Sequence, residues 1–309
     1  MSDFVELLKP VFSAERIYTF EPLPSDHRLH LILKKLYPTD ANSKPSLLWN
    51  ADFFGLDKST YFRKLPPEIQ SGILQNLTDH NLTTAYYVEV SGLFLCSKLI
   101  ALSDTLEERV LYSRLVSDEA RHLSWVTPFM GFDVSQTSPK HKLLDLIGQL
   151  IQDCGKHSMT FLAQVILEGF GIPYYQEMRE HCLNDGFKGV LRKILVDEAY
   201  HHGSGLVIFD EKKLGSTDEQ TLVGMAAKMI QILRVGAAAR LGEAIEGVTG
   251  TKLTDSERHG IIAESGAMDA VHERSEKIKK IVGASASEKL MKGISSAGVF
   301  SPLKIEQLL

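Results

Sequence analysis

No segment of this 309-residue chain alternates apolar and polar residues as a half-buried strand would. Long segments lie instead between helix-capping signals and the prolines or glycines that end helices. The first of them begins near Pro66-Pro67, and proline is well suited to the first turn of a helix. We therefore predict an all-α fold whose first long helix runs from residue 66 to about Leu102.

Three more helices are predicted before residue 213. The spacing of Asp104-Thr-Leu-Glu107 is that of a capping box, and it predicts a second helix over 104–127. Ser138-Pro139 supplies an N-cap and a first-turn proline for a third, unusually long helix over 138–182. The fourth helix is predicted over 187–213.

The third helix contains an irregularity that bears on function. Gly169, Gly171 and Pro173 come directly after Glu168. Glycine and proline inside a helix predict a kink or a π-bulge, and such irregularities often serve a site. We expect a broken helix here to leave room for an apolar substrate cavity beside Glu168.

The remaining segments are predicted to flank this core within a single domain, 1–309. Residues 1–65 contain several prolines and should form short helices and loops that wrap the core at 66–213. Residues 214–309 should form three helices over 217–246, 254–281 and 285–296. The last two begin with capping boxes at Thr254-Asp-Ser-Glu257 and Ser285-Ala-Ser-Glu288.

Two segments of the predicted core repeat each other. Asp-Glu-Ala-x-His occurs at 118–122 and again at 197–201, and each copy has another glutamate 30 residues upstream. All three elements therefore recur at one offset of 79 residues. One Glu-x-x-His pair is weak evidence, but the matched upstream glutamates make a coincidence improbable. The residues concerned are Glu89, Glu119, His122, Glu168, Glu198 and His201.

These six residues have the composition of a two-metal site. Positions i and i+3 of a helix project from the same face, so each glutamate of a Glu-x-x-His motif lies beside its histidine. Four glutamates facing one core require cations, because burial of an unpaired carboxylate costs several kcal/mol. Carboxylates with one imidazole per metal favour iron or manganese, and the absence of thiolate ligands disfavours structural zinc.

Individual roles follow from this pattern. We predict that Glu89 and His122 bind one metal, that Glu168 and His201 bind the other, and that Glu119 and Glu198 bridge the two. Asp118 and Asp197 precede the bridging glutamates. Each aspartate is predicted to accept the outer ring N–H of the histidine on the opposite motif, which would fix its tautomer. The alternative is that each aspartate is a solvated residue on the helix surface.

Four residues close to the six predicted ligands are weaker candidates. The candidate relays for electrons or protons are Tyr86, Tyr87 and Tyr200, and a structural role as buried tyrosines is the commoner alternative. Gln164 lies one turn before Glu168 and is a candidate for its orienting partner.

Composition limits the classes of function. The formal net charge is −5 and no basic tract is present, which argues against a nucleic-acid partner. The most apolar stretch, 88–102, is interrupted by Glu89 and Lys98, so no membrane span is expected. The N-terminal Met1-Ser-Asp-Phe has no basic or apolar run, so no signal peptide is expected. Cys96, Cys154 and Cys182 lack metal-site spacing and predict buried reduced thiols in a cytoplasmic protein.

The six residues and the two Asp-Glu-Ala-x-His blocks resemble the ferritin-like, carboxylate-bridged di-iron superfamily, over roughly residues 66–213. This superfamily includes ribonucleotide reductase small subunits, multicomponent monooxygenases, acyl desaturases, ferritins and aminoarene N-oxygenases. The resemblance implies an antiparallel four-helix bundle that holds two iron ions, or a manganese–iron pair, and reacts with O2.

Three positions depart from known branches of that superfamily. Val126 stands where reductase small subunits carry a radical tyrosine. Ala163 stands where certain oxidases carry a crosslinked tyrosine, and Ile194 stands where N-oxygenases add a third histidine. Ferritins are about half as long as this chain. These departures favour a less familiar oxygenase branch.

The expected function is a non-haem di-iron oxygenase or oxidase that uses O2 on a small organic substrate by hydroxylation, N-oxygenation, desaturation or oxidative cleavage. An electron donor such as a ferredoxin or flavoprotein and a homodimeric state are also expected. Two alternatives stay open: a radical-generating subunit similar to that of ribonucleotide reductase, and a ferroxidase.

Overall fold

The regular structure of this protein is helical. The structure, a computed structural model, describes residues 6, 8–20, 23–24, 26–38, 45–132 and 141–308. Within those ranges every regular element is a helix and none is a strand, which confirms the predicted all-α class. The α-helices are α1 (Ala14–Tyr18), α2 (Arg28–Leu36), α3 (Thr60–Arg63), α4 (Pro67–Leu102), α5 (Leu106–Val126), α6 (Lys142–Asp153), α7 (Lys156–Met159), α8 (Gly169–Glu180), α9 (Asp185–Ile208), α10 (Ser216–Val235), α11 (Leu241–Thr249), α12 (Asp255–Glu264), α13 (Ala267–Gly283) and α14 (Glu288–Ser296).

The first two long helices, α4 and α5, agree with the positions predicted from the sequence. Helix α4 begins with Pro67 in its first turn, as expected. Helix α5 begins one residue later than its predicted signal, because Thr105 rather than Asp104 is the N-cap. The Thr105 hydroxyl accepts a hydrogen bond from the Glu108 backbone N–H at 3.2 Å, and the Glu108 carboxylate accepts one from the Asp104 N–H at 2.9 Å.

The prediction of one helix over 138–182 is wrong. Ser138-Pro139 lies outside the described residues, and the chain leaves the helical conformation at Cys154 and Gly155. Lys98 of α4 stabilises this break, because its buried Nζ donates to the carbonyl oxygens of Ile151 and Cys154 at 2.6 and 3.0 Å. A lysine from another helix thereby satisfies the free carbonyls at the end of α6.

A second helical segment begins at once and carries the predicted irregularity. It consists of α7, a nine-residue π-helix over Thr160–Glu168, and α8. The π-helix ends at Glu168, the candidate ligand, and α8 continues through Pro173. The expected π distortion is therefore present, on the N-terminal side of Glu168 rather than after it.

The helices after residue 213 are shorter than predicted. The expected helix over 217–246 is divided at Gly236, and the one over 254–281 is divided at Gly266. Both glycines have positive φ angles, +54° and +72°, which a residue with a side chain rarely adopts. The Thr254–Glu257 capping box is present, whereas the last helix is capped by Ser287 instead of Ser285.

The core is organised around two helical hairpins. Helices α4 and α5 pack along each other, and so do α9 and the segment formed by the π-helix and α8. Helix α5 also packs on α9, which joins the two hairpins. The apolar core extends from this region into the N- and C-terminal segments. The predicted boundaries between 1–65, 66–213 and 214–309 stay predictions.

The N-terminal segment contains the expected short helices. Tyr18 of α1 anchors it to the core, because its hydroxyl donates to the Leu144 carbonyl at 2.9 Å and pairs with the Ser91 hydroxyl at 2.8 Å. Helix α2 has no buried residue, and its leucines and isoleucine are exposed. All three cysteines are free and buried, as predicted.

Helix α4 is long and apolar enough to cross a membrane by length and composition. Half of its most apolar window is buried within the protein. Core helices of soluble proteins pass the same criteria, and α4 carries the buried Glu89 and Lys98. The expected absence of a membrane span stays a prediction.

Candidate metal centre

All six predicted ligands come together in one place. Helix α4 supplies Glu89, α5 supplies Glu119 and His122, the π-helix supplies Glu168, and α9 supplies Glu198 and His201. Five of them are buried and Glu168 is half-buried. In both motifs the i, i+3 spacing places the glutamate and the histidine on the inner face of the helix.

The first half of the centre consists of Glu89, His122 and Glu198, whose potential ligand atoms all lie within 4.8 Å of one another. His122 Nδ1 is 3.0 Å from Glu89 Oε2 and 3.6 Å from Glu198 Oε1. This half therefore takes its second carboxylate from the other motif.

The second half consists of Glu119, Glu168 and His201, whose ligand atoms also lie within 4.8 Å of one another. His201 Nδ1 is 3.4 Å from Glu119 Oε1. The two halves have the same composition, one imidazole and two carboxylates, as the 79-residue repeat implies.

Glu119 and Glu198 lie between the two histidines. The carboxylate of Glu198 approaches His122 Nδ1 with one oxygen, at 3.6 Å, and His201 Nδ1 with the other, at 3.2 Å. The carboxylate of Glu119 does the same, at 3.9 and 3.4 Å. This is the placement that the predicted bridging role requires.

The outer ring nitrogens face the two aspartates of the motifs. His122 Nε2 lies 3.2 Å from Asp197 Oδ2, and His201 Nε2 lies 3.7 Å from Asp118 Oδ2. Each histidine thus faces the aspartate of the opposite motif, and the predicted hydrogen bond is present for His122 and Asp197 but not for His201 and Asp118. An imidazole that donates through Nε2 to a carboxylate presents the unprotonated Nδ1 to the interior, where a metal would bind.

The cluster contains four glutamates and two histidines, so its buried acidic groups outnumber its basic ones. Burial and the neighbouring carboxylates raise the pKa of Glu119 and of Glu168 well above the usual range, and burial raises the pKa of Glu198 to about 7. Burial acts to lower the pKa of His122, but Glu89 and Asp197 outweigh it and raise that pKa. The same pairing holds the pKa of Glu89 below its usual value in spite of burial.

Several buried atoms of the cluster lack a hydrogen-bond partner among the described residues. They are Glu198 Oε2 and both ring nitrogens of His201. Buried polar atoms without partners are rare in folded proteins, and a bound ion is one of their recognised explanations. Two divalent cations would also balance the charge of four glutamates. The donor set therefore fits a pair of metal ions.

Gly92 makes room for one of the bridging carboxylates. A Cβ atom at Gly92 would lie 2.5 Å from the Glu119 carboxyl carbon. Gly92 is one turn beyond Glu89 on α4, so the bare backbone lets the carboxylate of α5 lie directly against it. Sequence reasoning did not identify this role.

Sequence reasoning also missed a tyrosine and an arginine. The buried Tyr175 hydroxyl donates to Glu89 Oε1 at 3.1 Å. Its position seven residues after Glu168, two turns along the same helical face, was the available signal. Arg121 contacts both motif aspartates, and its position three residues after Asp118 was the signal there.

Two of the weaker candidates have other roles. Gln164 donates to the Ser204 hydroxyl at 3.1 Å and accepts from the Tyr112 hydroxyl at 3.2 Å, so it joins α5 and α9 rather than orienting Glu168. Tyr200 is largely exposed, which excludes a relay role inside the cluster. Tyr87 is buried and Tyr86 is half-buried.

The raised pKa values predict how pH acts on the metal-free protein. Glu119 and Glu168 hold protons in the folded state at pH values where the unfolded chain has released them. The raised pKa of His122 acts in the same direction, since its stabilisation is lost as pH rises towards its folded pKa. Stability of the metal-free protein should therefore fall as pH rises through neutrality.

Thermal unfolding of chelator-treated protein at pH 7 and pH 8 measures this effect. Burial lowers the pKa of His80, His141 and His157, so these histidines are neutral in the folded state throughout that window. Their partial protonation in the unfolded chain at pH 7 opposes the effect, and the comparison with a Glu119 variant separates the two contributions. The melting temperature should be lower at pH 8, and Glu119→Gln should reduce the difference. Equal melting temperatures in the wild type would contradict the account of the cluster.

Tyr175→Phe tests the hydrogen bond to Glu89. The variant removes only a hydroxyl, and Tyr174→Phe is a matched control because Tyr174 is the adjacent residue and has no contact with a candidate ligand among those described. Loss of one hydrogen bond to a ligand should weaken metal binding about tenfold. Equal affinities of the two variants in a Mn(II) titration would show that Tyr175 does not position Glu89.

Comparison with known proteins assigns this chain to no family. The chain matches no protein-family profile, no curated protein and no solved structure. What the described residues show is an all-helical protein with buried glutamate and histidine groups that could hold metal ions.

Proposed function

We propose that this protein is a non-haem di-iron oxygenase or oxidase built on a ferritin-like four-helix bundle. The observation that carries the proposal is the paired arrangement of the six ligands, with Glu119 and Glu198 each facing both histidines. Four helices that each contribute a carboxylate, two of them also a histidine at i+3, are the ligand pattern of di-iron carboxylate bundles.

The donor set supports iron as the metal. Each half offers two carboxylates and one imidazole. Oxygen-rich shells of this type suit iron and manganese, whereas structural zinc sites generally use thiolates. A manganese–iron pair would fit the same donors. Two iron(II) ions held here would together supply electrons to O2.

The chain's own residues would hold and shield that centre. Glu119 and Glu198 would bridge the ions, while Glu89 and Glu168 would complete the two halves. Asp197 keeps the outer ring nitrogen of His122 hydrogen-bonded, and Asp118 faces that of His201 at 3.7 Å. Burial of five of the six ligands would limit the access of water to the centre, which strengthens the electrostatic interactions inside it.

The three positions that depart from known branches are buried and apolar. Val126, Ala163 and Ile194 all lie in the core. None of them can store a radical, form a tyrosine crosslink or add a histidine ligand. This supports direct oxidation of an organic substrate.

A radical-generating subunit is the second candidate, because one observation favours it. Tyr175 is buried and its hydroxyl hydrogen-bonds a candidate ligand, Glu89, at 3.1 Å. This tyrosine comes from α8, not from the α5 position where reductase small subunits carry theirs. A stable tyrosyl EPR signal that Tyr175→Phe abolishes would favour this candidate.

Substrate access is a further part of the proposal. Within 169–173, where a substrate cavity is expected, Gly169 is closely packed, since a Cβ there would lie 2.8 Å from His202 and Ile281 atoms, whereas the space at Gly171 is open. A surface cleft of about 720 Å³ between α6 and α10, and one of about 370 Å³ between α3 and α12, do not include the candidate ligands. We propose that a small organic substrate approaches at Gly171.

Oxygen consumption by the iron-loaded protein tests the function. Coupled oxidation of an organic compound, with an electron donor present, would support the oxygenase. Continuous oxidation of added iron(II), with storage of the product and no organic oxidation, would instead identify a ferroxidase. A homodimeric state, a cytoplasmic location, a ferredoxin or flavoprotein as donor and the lack of a nucleic-acid partner remain expectations of the same proposal.

A further inference from the structure

A chain of side chains joins the two histidines on the outer side of the cluster. His122 Nε2 faces Asp197 at 3.2 Å, and His201 Nε2 faces Asp118 at 3.7 Å. Arg121 closes the connection, because its Nη2 donates to Asp197 Oδ2 at 3.0 Å and also to Asp118 Oδ1. One guanidinium therefore contacts the supporting carboxylate of both histidines.

The repeat is broken at this point. The residue between alanine and histidine is Arg121 in the first motif and Tyr200 in the second. Position 200 holds a tyrosine, which is 72% exposed and is not a cation, so the second motif has no equivalent of the Arg121 guanidinium. One arginine consequently contacts two aspartates that the repeat places symmetrically.

The two aspartates do not depend on it equally. Asp118 has a second cationic partner, Arg114, which approaches it with Nη2 at 2.8 Å and Nε at 3.1 Å. Asp197 has Arg121 as its cationic partner in the described contacts, and accepts from Arg121 and His122 on the same oxygen. Loss of Arg121 should therefore affect the His122 side most.

Packing holds the arginine in place. The Arg121 guanidinium lies 5.3 Å from the centre of the Trp125 ring, and that ring lies 5.8 Å from the His122 ring. Cation–π contact restricts the guanidinium to the position from which it meets both aspartates. Both contacts come from one terminal nitrogen, whose two N–H groups can each donate to one aspartate.

We propose that Arg121 is a positioning residue shared by both halves of the metal centre. It orients Asp118 and Asp197, which in turn hold the two histidines in the tautomer that presents Nδ1 to the metals. The proposal rests on the proposed dinuclear metal centre, although it requires no particular reaction. It assigns to one side chain an effect on two ions.

Anaerobic titration with Co(II) tests the proposal, because the absorption of bound Co(II) reports the geometry of its ligands. The test compares Arg121→Gln with Arg114→Gln. The second variant is a matched control that removes a cation from Asp118 and leaves Asp197 untouched. Arg121→Gln should weaken binding of both ions, at least about tenfold for the weaker one, and alter the Co(II) spectrum. Arg114→Gln should affect at most one ion, and Arg121→Lys should recover part of the loss.

A double-mutant cycle identifies the route of the effect. If Arg121 acts through Asp197, Arg121→Gln should cost much less affinity when Asp197→Asn is already present. Additive losses would show that the arginine acts by another route. Thermal unfolding of each metal-free variant checks that the fold is retained, and Arg121→Lys serves as the test variant if Arg121→Gln does not fold.

The outcomes separate this inference from the proposed function. Wild-type Co(II) affinity and spectrum in Arg121→Gln would overturn the role of Arg121 while leaving the metal centre intact. The same loss in Arg114→Gln would also overturn it. A wild-type protein that binds two ions but does not react with O2 would overturn the oxygenase proposal alone. A wild-type protein that binds no metal would overturn both.

Discussion

Glu119→Ala and Glu198→Ala should each lose most of the metal that the wild-type protein binds. Protein produced with iron should contain about two ions per chain, as expected for a di-metal carboxylate bundle. Each of these carboxylates faces both histidine Nδ1 atoms, so its removal takes a ligand from both halves. The smaller side chain also leaves the remaining buried carboxylates without their bridge.

Metal analysis of the purified variants measures this loss. Glu107→Ala is the matched control, since Glu107 is an exposed glutamate on the same helix as Glu119. The control should retain about two ions per chain. Full loading of either bridging variant, or a single zinc ion in the wild type, would contradict the assignment.

Gly92→Ala should weaken metal binding strongly although Gly92 is not a ligand. The added Cβ would lie 2.5–2.9 Å from the carboxyl atoms of Glu119. Because that carboxylate is the end of a side chain, it would move rather than the backbone, and the bridge would be displaced. We expect a loss of affinity of about 10–100-fold, the range found when the partners that orient ligands are removed.

Gly203→Ala provides the comparison for that variant. Gly203 lies two residues after His201 in α9, and a Cβ there would have nothing within 4 Å. Both variants replace a helical glycine by alanine, which favours the helix by up to about 1 kcal/mol. If the two variants bind Mn(II) equally well in a calorimetric titration, the space that Gly92 leaves for the Glu119 carboxylate has no role in metal binding.

The candidate ligands could be found from the sequence because their signal is local and repeated. Glu119 and His122 share a helical face by virtue of their spacing alone, and the second copy of the motif repeats that relation. The upstream glutamates are linked to the motifs by a constant separation. No long-range information was needed to select these residues.

The missed contacts depend on tertiary packing. The position of Tyr175 on the helical face of Glu168 places it near the site, but nothing in either local segment specifies its contact with Glu89 across the core. Gly92 matters for the site because the Glu119 carboxylate, from another helix, lies against it. Sequence patterns within one helix cannot show which side chain of a neighbour lies opposite.

The positions at which helices break also depend on tertiary packing and could not be predicted from local sequence. The break at Cys154 is supported by Lys98, more than 50 residues away in the chain. Gly236 and Gly266 end helices because they adopt positive φ angles, whereas other glycines stay inside helices. Local composition allows both outcomes, and packing selects between them.

Mössbauer spectroscopy of protein loaded with ⁵⁷Fe distinguishes a dinuclear centre from isolated iron sites. After exposure to O2, nearly all the iron should occur as one exchange-coupled, carboxylate-bridged di-iron(III) pair with about two irons per chain. The Glu119→Ala variant should lack that species. Magnetically isolated iron(III) in the wild type, or an iron content near one per chain, would contradict the dinuclear centre.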